Sequence, residues 1–400
     1  MQRVNGMWVC ARSVAVYCNP MSVIQLRSRP QVLEFFAGVG LARMGLDLAG
    51  FETAWANDIS PDKAAMYRAQ FNDDVMVVGD VNEVDAADLP RVDLAWASSP
   101  CTDLSLAGNR TGLAGTESSA FYAFTGILRA MAENDRPKAL VLENVIGLST
   151  SHGGDDLTAA IKEFNELGYS VDILAIDARR FVPQSRPRMF LVGSREPVET
   201  TEIEHPLRPA WTEAFFGDPT LVMHRAPLPT PPLHVTDGLG DTLERLDNDD
   251  PRWWGEDRVA AFLDSMSGVQ KRRLDQLSKQ RRRYQWRTAY RRTRGGVPVW
   301  EMRPDAVSGC LRTPRGGSSK QAVVRMGYGK VSIRWMTGAE YAALMGAAEY
   351  KIDGFRDSQV QFAFGDAVVV PAVGWLAEHY LKPLVKGELA ARSDFPAKAQ

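Results

Sequence analysis

The residue best suited to covalent chemistry in this 400-residue chain is Cys101, a cysteine that follows a predicted strand. Residues 92–97 form a short apolar run of the kind found in buried strands. Pro100 then ends the strand, because proline has no N–H to donate to a neighbouring strand. Open α/β sheets keep their reactive groups at the carboxyl ends of strands. We therefore predict that Cys101 is a nucleophile; the alternative is a small buried hydrophobic residue.

Other residues with useful chemistry also come directly after apolar runs. Predicted strands cover residues 31–36, 53–57, 75–78 and 139–142. The groups that follow these strands are, in order, a turn with Gly38 and Gly40, then Asp58, Asp80 and Glu143. A glycine turn before a helix lets the backbone approach a ligand, and a carboxylate about twenty residues further on is where such folds hold ribose hydroxyls. We expect these groups to line one crevice with Cys101.

Strands and helices of ordinary length alternate from residue 31 to about residue 193. This alternation predicts an α/β fold with a Rossmann-like, mostly parallel sheet that carries helices on both faces. Near Pro206 the alternation stops, and the next residues, rich in Pro, Trp and Arg, predict a second, smaller and irregular domain. The expected units are a leader at 1–29, the sheet domain at 30–204, the second domain at 205–330, a segment at 331–388 that returns to the sheet domain, and a tail at 389–400.

Composition excludes several classes of protein. The four cysteines are scattered without a CxxC pair, and the five histidines have no metal-ligand spacing. Neither a structural zinc site nor a disulfide framework is expected, and a reducing cytoplasm is the natural compartment. No apolar run approaches the roughly 18 residues that a membrane span needs, so no membrane partner is expected.

The net charge of −2 hides one strongly basic segment. Residues 271–303 contain twelve Lys and Arg against two acidic residues. Aromatic residues are interleaved with these charges, at Tyr284, Trp286, Tyr290 and Trp300. Clustered arginines with aromatics favour contacts to nucleic acid phosphates; the alternative is a solvated charged helix. The glycine- and hydroxyl-rich loop at 309–320 is also suited to phosphates.

Five short motifs occur in the order and at the spacing of one known family. They are Glu34-Phe35-Phe36-Ala37-Gly38-Val39-Gly40, Ser99-Pro100-Cys101 with Ser105, Glu143-Asn144-Val145, Gln184-Ser185-Arg186-Pro187-Arg188, and Gly365-Asp366-Ala367-Val368. Together these motifs resemble the DNA cytosine-5 methyltransferases, over about residues 31–200 and 305–385.

The resemblance implies methyl transfer from S-adenosylmethionine to C5 of a cytosine that is flipped out of double-stranded DNA. Cytosine C5 is a weak nucleophile, so the Cys101 thiolate would first add to C6. Glu143 would relieve the resulting charge at N3 and hold the exocyclic amine. A paired arginine, Arg186 or Arg188, would stabilise the charge near O2. The sequence does not identify the base that removes the C5 proton.

The resemblance also assigns residues to the two ligands. S-adenosylmethionine is expected to contact Phe36, Gly38, Gly40, Asp58, Ile59, Asp80, Pro100 and Asp366. Within that set Asp58 would take the ribose hydroxyls and Asp80 the adenine amine. DNA is expected to contact Ser105, Arg282, Arg283, Arg291, Arg292, Arg315 and Ser318. Asp366 departs from the family, which normally has asparagine there; the change removes an amide donor and adds a charge.

Two alternatives share these motifs. An RNA cytosine-5 methyltransferase of the tRNA-directed branch would lack a recognition domain of this size, and a silent DNA-binding protein would not need Cys101 and Glu143. DNA is therefore the favoured substrate, with residues 205–330 as the target-recognition domain. We expect a monomer. A cognate restriction endonuclease that acts separately, a solitary role and a phage-encoded role all stay open.

Overall fold

Apolar segments in the first half of the chain form one seven-stranded sheet. The structure, a computed structural model, describes residues 29–100, 119–201, 204–314 and 320–390. The strands of this first sheet are β1 (Gln31–Phe35), β2 (Glu52–Asp58), β3 (Met76–Val78), β4 (Leu94–Ser98), β5 (Ala139–Val145), β6 (Ser170–Asp177) and β7 (Pro187–Ser194). Their order across the sheet is β3-β2-β1-β4-β5-β7-β6. The central strands β4 and β5 are buried over almost their full length, because the sheet is covered on both faces.

Helices cover both faces of this sheet. Those that follow strands are α1 (Leu41–Leu48), α2 (Pro61–Phe71), α3 (Ser119–Ala130) and α4 (Asp155–Glu166). Helix α2 begins where the sequence predicts, because the Ser60 hydroxyl accepts a hydrogen bond from the Lys63 amide at 3.3 Å and Pro61 takes the first helical position. Phe124 of α3 and Phe164 of α4 pack in the core on one face, and α1 lies with the C-terminal helices on the other.

The predicted fold class is confirmed, with one difference in strand direction. Strand β7 runs antiparallel to both β5 and β6, whereas the other neighbouring strands are parallel. The nine residues 178–186 connect β6 to β7. A connection of this length is too short for the helical crossover that parallel strands need. Because β7 is antiparallel to β5, the first residues of β7 lie beside the carboxyl end of β5.

The second half of the chain forms a smaller antiparallel sheet. Its strands are β8 (Gln285–Arg294), β9 (Val297–Met302), β10 (Ala322–Gly327) and β11 (Lys330–Trp335), in the order β11-β10-β8-β9. The helices that precede it are α5 (Glu213–Phe216), α6 (Leu239–Thr242), α7 (Glu256–Ser265) and α8 (Gly268–Ser278). This unit is therefore more regular than its composition suggests. Strand β11, which begins at the expected boundary near residue 330, pairs with β10 in this second sheet.

The basic segment is a helix followed by a hairpin. The chain leaves the helical conformation at Met266, after α7, and Ser267 caps a second helix, α8. Strands β8 and β9 then form a hairpin whose two turn residues, Gly295 and Gly296, have φ of 54° and 81°. Two consecutive residues with positive φ are what a two-residue hairpin turn of the favoured hand requires. Four of the ten arginines in this segment, Arg287, Arg291, Arg292 and Arg294, lie on a β-ribbon, and two, Arg272 and Arg273, lie on a helix.

The C-terminal segment packs against the first sheet. It contains α9 (Gly338–Leu344), α10 (Asp357–Asp366), α11 (Val370–Leu376) and α12 (Lys382–Val385). A capping box begins α9, since the Thr337 hydroxyl accepts from the Glu340 amide and the Glu340 carboxylate accepts from the Thr337 amide. Gly365 lies in the last turn of α10, and the break comes at Ala367 before α11 begins. Helix α11 packs on α1.

One helical stretch, Asp357–Val385, has the length and apolar character of a membrane span, with a mean hydropathy of 1.5. It is 67% buried within the protein. Val373, Leu376 and Leu381 of this stretch belong to the core that covers one face of the first sheet. We therefore interpret this apolar stretch as a helical part of the protein core.

A buried polar cluster joins β6 to the start of the second unit and to the C-terminal segment. The Arg208 guanidinium donates to both oxygens of Asp172, at 2.9 and 2.6 Å, and neither residue is more than 8% exposed. The Tyr380 hydroxyl donates to Asp172 at 3.1 Å and contacts Nε2 of His224 at 2.8 Å. Burial lowers the pKa of His224, which fits a neutral imidazole in this cluster.

We expect Asp172→Asn to destabilise the fold strongly. The amide keeps the shape of the carboxyl group but leaves the buried Arg208 charge without its counter-ion, a change that typically costs about 3–5 kcal/mol. Urea unfolding monitored by circular dichroism measures the effect. The matched control is Glu378→Gln, which removes the exposed ion pair between Glu378 and Lys382 at 2.9 Å and should cost less than about 1 kcal/mol. Equal losses in the two variants would contradict a structural role for the buried cluster.

Candidate active site

The centre of the candidate site is a buried carboxyl group at the end of β5. Glu143 is 5% exposed and lies opposite Ser98 in the register between β5 and β4. Nε of Arg188, at the start of β7, lies 3.0 Å from Oε1 of Glu143. Burial raises the pKa of Glu143, although the charges of Arg188 and Arg186 and a hydrogen bond with Ser98 act in the opposite direction. Burial thus shifts this carboxyl group towards its protonated form, and Arg188 provides a cation beside it.

The structure shows different contacts for Arg186 and Arg188, which the sequence could not distinguish. Arg186 is 1% exposed, and its guanidinium donates to backbone carbonyls rather than to a carboxylate. These are the carbonyl of Leu311 at 2.6 Å, of Gly365 at 3.0 Å and of Ala367 at 2.6 Å. Arg186 thus joins the first sheet to the loop before β10 and to the junction of α10 and α11. Only Arg188 of the pair contacts Glu143 among the described residues.

A second cysteine lies beside these arginines. The Cys310 thiol is 3.4 Å from Nη1 of Arg186. Burial disfavours ionisation of this thiol, but the positive charges of Arg186, Arg188 and Arg312 outweigh burial and lower its pKa. Sequence reasoning placed Cys101 at this edge of the sheet and missed Cys310, because the loop that carries Cys310 comes from the second unit, which strand order alone does not place.

Strand β4 leads towards the predicted nucleophile. Ser99 is buried and accepts a hydrogen bond from Nδ2 of Asn144 at 3.2 Å, so Asn144 supports the strand end. Pro100 is exposed and is the last described residue before the gap. Four predicted site residues lie outside the described residues: Cys101, Ser105, Arg315 and Ser318.

The glycine turn and the aspartate after β2 meet as predicted. Oδ2 of Asp58 accepts from the Gly38 amide at 2.8 Å, and Oδ1 accepts from the Ser60 amide at 2.8 Å. Gly40 has φ of 76°, and a Cβ at this position would lie 2.7 Å from the Tyr67 ring, so no other residue fits there without rearrangement. Phe36, at the end of β1, also has a positive φ of 57°. The turn is therefore fixed to the carboxyl ends of β1 and β2.

The buried Glu34 of β1 holds the glycine turn in place. It is fully buried in β1, where Oε1 accepts from the Arg43 amide at 3.2 Å and Oε2 accepts from the Tyr67 hydroxyl at 3.2 Å. Burial raises the pKa of Glu34 to about 8, although the hydrogen bonds from Arg43 and Tyr67 lower it. Arg43 lies in the first turn of α1, so Glu34 binds the helix that begins at the glycine turn.

This corner of the molecule fits an adenosine ligand. Ile59 is 69% exposed although it is apolar, and it follows Asp58 directly. Asp80 lies at the end of β3, where hydrogen bonds from Asn82 lower its pKa and favour the acceptor form. A groove of about 450 Å³ begins next to Asp80, between residues 81–86 and α3. An exposed apolar side chain and carboxylates at the ends of two neighbouring strands suit a nucleoside, whose base is flat and whose amine and hydroxyls donate hydrogen bonds.

Asp366, the departure from the family motif, lies at the end of α10. Its carboxylate accepts a hydrogen bond from the Thr313 hydroxyl and lies 3.5 Å from Nζ of Lys63. Neither partner was singled out from the sequence. Lys63 lies in the first turn of α2, three residues after the cap Ser60, and only the tertiary structure brings it to Asp366, 303 positions away.

The predicted DNA-contacting arginines within the described residues are all exposed. Arg282 and Arg283 lie between α8 and β8, and Arg291 and Arg292 lie on β8 near the hairpin turn. Arg292 forms an ion pair with Glu301 across the hairpin at 3.2 Å and lies over the Tyr290 ring. Among the described residues, no cluster of His, Cys, Asp or Glu has the arrangement of a metal site.

Comparisons with known proteins find relatives of both the fold and the sequence. The solved structure of the S. pombe Dnmt2 methyltransferase matches the fold with a TM-score of 0.57 at 18% identity, covering 89% of this chain and 99% of that one. The Type II methyltransferase M.Bsp6I of Bacillus sp. (strain RFL6) is 25% identical over 359 residues, which cover 89% of this chain and 99% of that protein. The orphan methyltransferase M.Rho11sI of Bacillus phage rho11s is 33% identical over 173 residues, 42% of this chain and 34% of that protein.

The fold is thus one that methyltransferases use. A family model described as C-5 cytosine-specific DNA methylase matches residues 31–382, which is most of the chain. This protein belongs to the C-5 cytosine-specific DNA methylase family.

We expect Glu34 to give the fold a distinctive pH dependence. A carboxyl group whose pKa rises from 4.5 in the unfolded chain to about 8 in the folded one stabilises the fold most at low pH. That contribution is lost as the pH rises through about 8. The free energy of unfolding of wild type minus that of Glu34→Gln should therefore fall by up to about 1.4 kcal/mol per pH unit between about pH 5 and pH 8. Urea unfolding across this range measures it, with Glu52→Gln, exposed on β2, as the control. A pH-independent difference would contradict the raised pKa.

Proposed function

We propose that this protein transfers the methyl group of S-adenosylmethionine to C5 of a flipped-out cytosine in double-stranded DNA, through a covalent bond between Cys101 and C6. The observation that supports this most directly is the buried Glu143 with Arg188 beside it, next to the end of the strand that leads to Cys101. Family membership supports the same chemistry.

The first step activates the cytosine ring. The Cys101 thiolate adds to C6, and the electron pair of the C5–C6 bond moves towards N3 and O2. In this proposal Glu143 donates a proton to N3; burial, which raises the pKa of Glu143, favours the protonated form that this step needs. The Arg188 guanidinium stabilises the remaining negative charge near O2. These two residues turn the ring into an enamine with a nucleophilic C5.

Bound S-adenosylmethionine supplies the electrophilic methyl group that C5 accepts, and S-adenosylhomocysteine remains. A base then removes the C5 proton, the C6–S bond breaks, and the Cys101 thiolate leaves with the electron pair. Glu143 recovers its proton from N3. The base is not identified by any residue described here, and water at this edge of the sheet is the simplest candidate.

The residues around the glycine turn hold the cofactor in this proposal. Asp58 accepts hydrogen bonds from the ribose hydroxyls, and Asp80 accepts one from the adenine amine. Ile59 and Pro100 provide apolar surface for the base. The methionine part lies along Phe36, Gly38 and Gly40, and near Asp366.

The second unit recognises the DNA in this proposal. A two-stranded β-ribbon fits the major groove of B-DNA, and the β8–β9 hairpin carries exposed arginines on such a ribbon. Arg282, Arg283, Arg291 and Arg292 contact phosphates or bases, and Arg315 and Ser318 of the loop before β10 contact phosphates. Because the target base is inaccessible within a duplex, it is flipped out to reach Glu143. Ser105 contacts the DNA in this proposal.

RNA is the second candidate substrate, since the catalytic chemistry would be identical. The arginine-rich β-ribbon favours duplex DNA, because an A-form RNA helix has a major groove too narrow for side chains to read. We propose that the protein acts as a cytoplasmic monomer. A relative named as a Type II methyltransferase favours a modification role beside a separate restriction endonuclease, and a relative named as an orphan methyltransferase favours a solitary one.

Methyl transfer from labelled S-adenosylmethionine to unmethylated DNA, with tRNA in parallel, tests the function. We expect label in DNA only, no label with Cys101→Ala, and a loss of about 10²–10⁴-fold with Glu143→Gln, which cannot donate its proton. Cys18→Ala is the matched cysteine control and should keep wild-type activity. Label in tRNA but not DNA would favour the second candidate, and full activity of Cys101→Ala would contradict the covalent mechanism.

Salt dependence tests the role of the hairpin. We expect Arg291→Ala to weaken DNA binding and to reduce the slope of log Kd against log salt by about one, because one phosphate contact is lost. Fluorescence anisotropy with a labelled duplex measures the slope between about 50 and 200 mM salt. Lys386→Ala, an exposed cation after α12, is the control. An unchanged slope in Arg291→Ala would place the hairpin outside the DNA contact.

A further inference from the structure

The two faces of the β8–β9 hairpin have different surroundings. Alternate residues of a strand point to opposite faces of a sheet. Ala289 and its neighbour across the hairpin, Met302, lie in the core of the second unit together with Trp300. Trp286, three residues before Ala289 and therefore on the other face, packs against the core that covers one face of the first sheet. The hairpin thus turns one face to its own unit and the other to the first sheet.

The face turned to the first sheet leads to the candidate active site. Thr288 lies on this face, and its hydroxyl accepts a hydrogen bond from the Gly309 amide at 3.3 Å. Gly309 directly precedes Cys310, whose thiol contacts Arg186 at 3.4 Å. Arg294 lies six residues beyond Thr288 on the same face, which is about 20 Å along a strand. Side chains between these two positions therefore lie within about one helical turn of B-DNA, some 34 Å, of the site.

This same face carries a cluster of two arginines and one carboxylate. Oε2 of Glu301 lies 3.2 Å from Nε of Arg292, and Oε1 accepts from Nε of Arg294 at 2.8 Å. The Arg292 guanidinium also lies over the Tyr290 ring, 5.0 Å from its centre. The two arginine side chains are 52% and 62% exposed, whereas that of Glu301 is 18% exposed. The carboxylate therefore lies beneath two exposed guanidinium groups.

The cluster is better suited to binding a ligand than to stabilising the fold. Ion pairs this exposed contribute little to stability. Two arginines on one carboxylate leave one net positive charge, which attracts a polyanion. Glu301 contacts Arg292 through Nε, and the two Nη groups of a guanidinium form a fork of further donors. That fork matches O6 and N7 of guanine in the major groove.

The contacts on Arg292 also restrict its direction. Hydrogen bonds to a base edge carry sequence information, whereas attraction to phosphates is independent of sequence. A side chain already held in one conformation loses less conformational entropy when it binds. Glu301 below Arg292 and the Tyr290 ring beside it provide such a hold. This arrangement favours contact with a base over contact with phosphates alone.

We propose that Arg292 reads a guanine in the major groove through O6 and N7, and that Glu301 is the residue that positions its guanidinium. Arg294 shares the carboxylate and keeps the cluster positive. The assignment rests on the proposed function, because it takes duplex DNA as the substrate. It places a G·C pair of the target sequence within about one helical turn of the methylated cytosine.

Bisulfite sequencing of unmethylated genomic DNA of known sequence, treated with limiting amounts of the full chain, tests this proposal. We expect wild type to prefer guanine, on either strand, at one or more positions near the methylated cytosine. Arg292→Gln should reduce the preference for guanine at one such position about tenfold or more, because a bidentate contact is lost. Glu301→Gln should reduce the preference at the same position about two- to tenfold, because the guanidinium keeps its donors but loses the group that holds it.

The matched controls are Arg129→Gln and Glu163→Gln. These residues form an ion pair between α3 and α4 at 2.9 Å, with side chains 46% and 20% exposed. The pair thus resembles Arg292 and Glu301 in distance and exposure. Both control variants should keep the wild-type preference at every position.

The preference is a ratio between sequences, so a partial loss of folded protein does not change it. Unchanged preferences in Arg292→Gln, with or without a uniform loss of methylation, would show that Arg292 contacts only phosphates and would overturn the inference. The absence of any guanine preference in wild type would overturn it as well. A change at a different position in Glu301→Gln would mean that Glu301 contacts a base itself and would overturn its positioning role. If wild type methylated no cytosine, the proposed function itself would fail, and this inference with it.

Discussion

The buried guanidinium of Arg186 is the interaction on which the arrangement of the candidate site depends. Three separate parts of the chain meet at this side chain: the start of β7, the loop at Leu311 before β10, and the α10–α11 junction at Gly365 and Ala367. A guanidinium is suited to this role because its donors lie in a rigid plane and remain protonated even when buried. Arg188, two residues further along the chain and within β7, is thereby directed to Glu143.

The two arginines and burial also determine the pKa values of the neighbouring Glu143 and Cys310. Burial disfavours the charged form of Glu143, and the two arginines disfavour its neutral form; burial has the larger effect, so the pKa rises. The nearby Cys310 thiol responds in the opposite sense, since the arginine charges exceed the effect of burial and lower its pKa. The pKa values of the carboxyl group and the thiol therefore shift in opposite directions because the balance between burial and the arginine charges differs between the two groups.

The parts of the candidate site that lie at strand ends could be predicted from the sequence. Asp58 lies against the Gly38 turn, and Glu143 ends a buried strand, because the carboxyl ends of parallel strands share one edge. The features that sequence reasoning missed depend on elements far apart in the chain. Lys63 meets Asp366 across 303 positions. A strand register places Ser98 beside Glu143. The short connection before β7 makes this strand antiparallel to its neighbours. The reversal gives Arg186 and Arg188 their different contacts.

Covalent capture at the candidate nucleophile tests the central claim most directly. In DNA whose target cytosine is replaced by 5-fluorocytosine, the fluorine cannot leave as the proton does, so the bond between the protein and C6 should persist after methyl transfer. We expect a denaturant-resistant protein–DNA complex that requires S-adenosylmethionine, with mass spectrometry placing the cross-link on Cys101. A cross-link on Cys310, the thiol beside Arg186, or the absence of any cross-link on DNA that is otherwise methylated, would contradict the account.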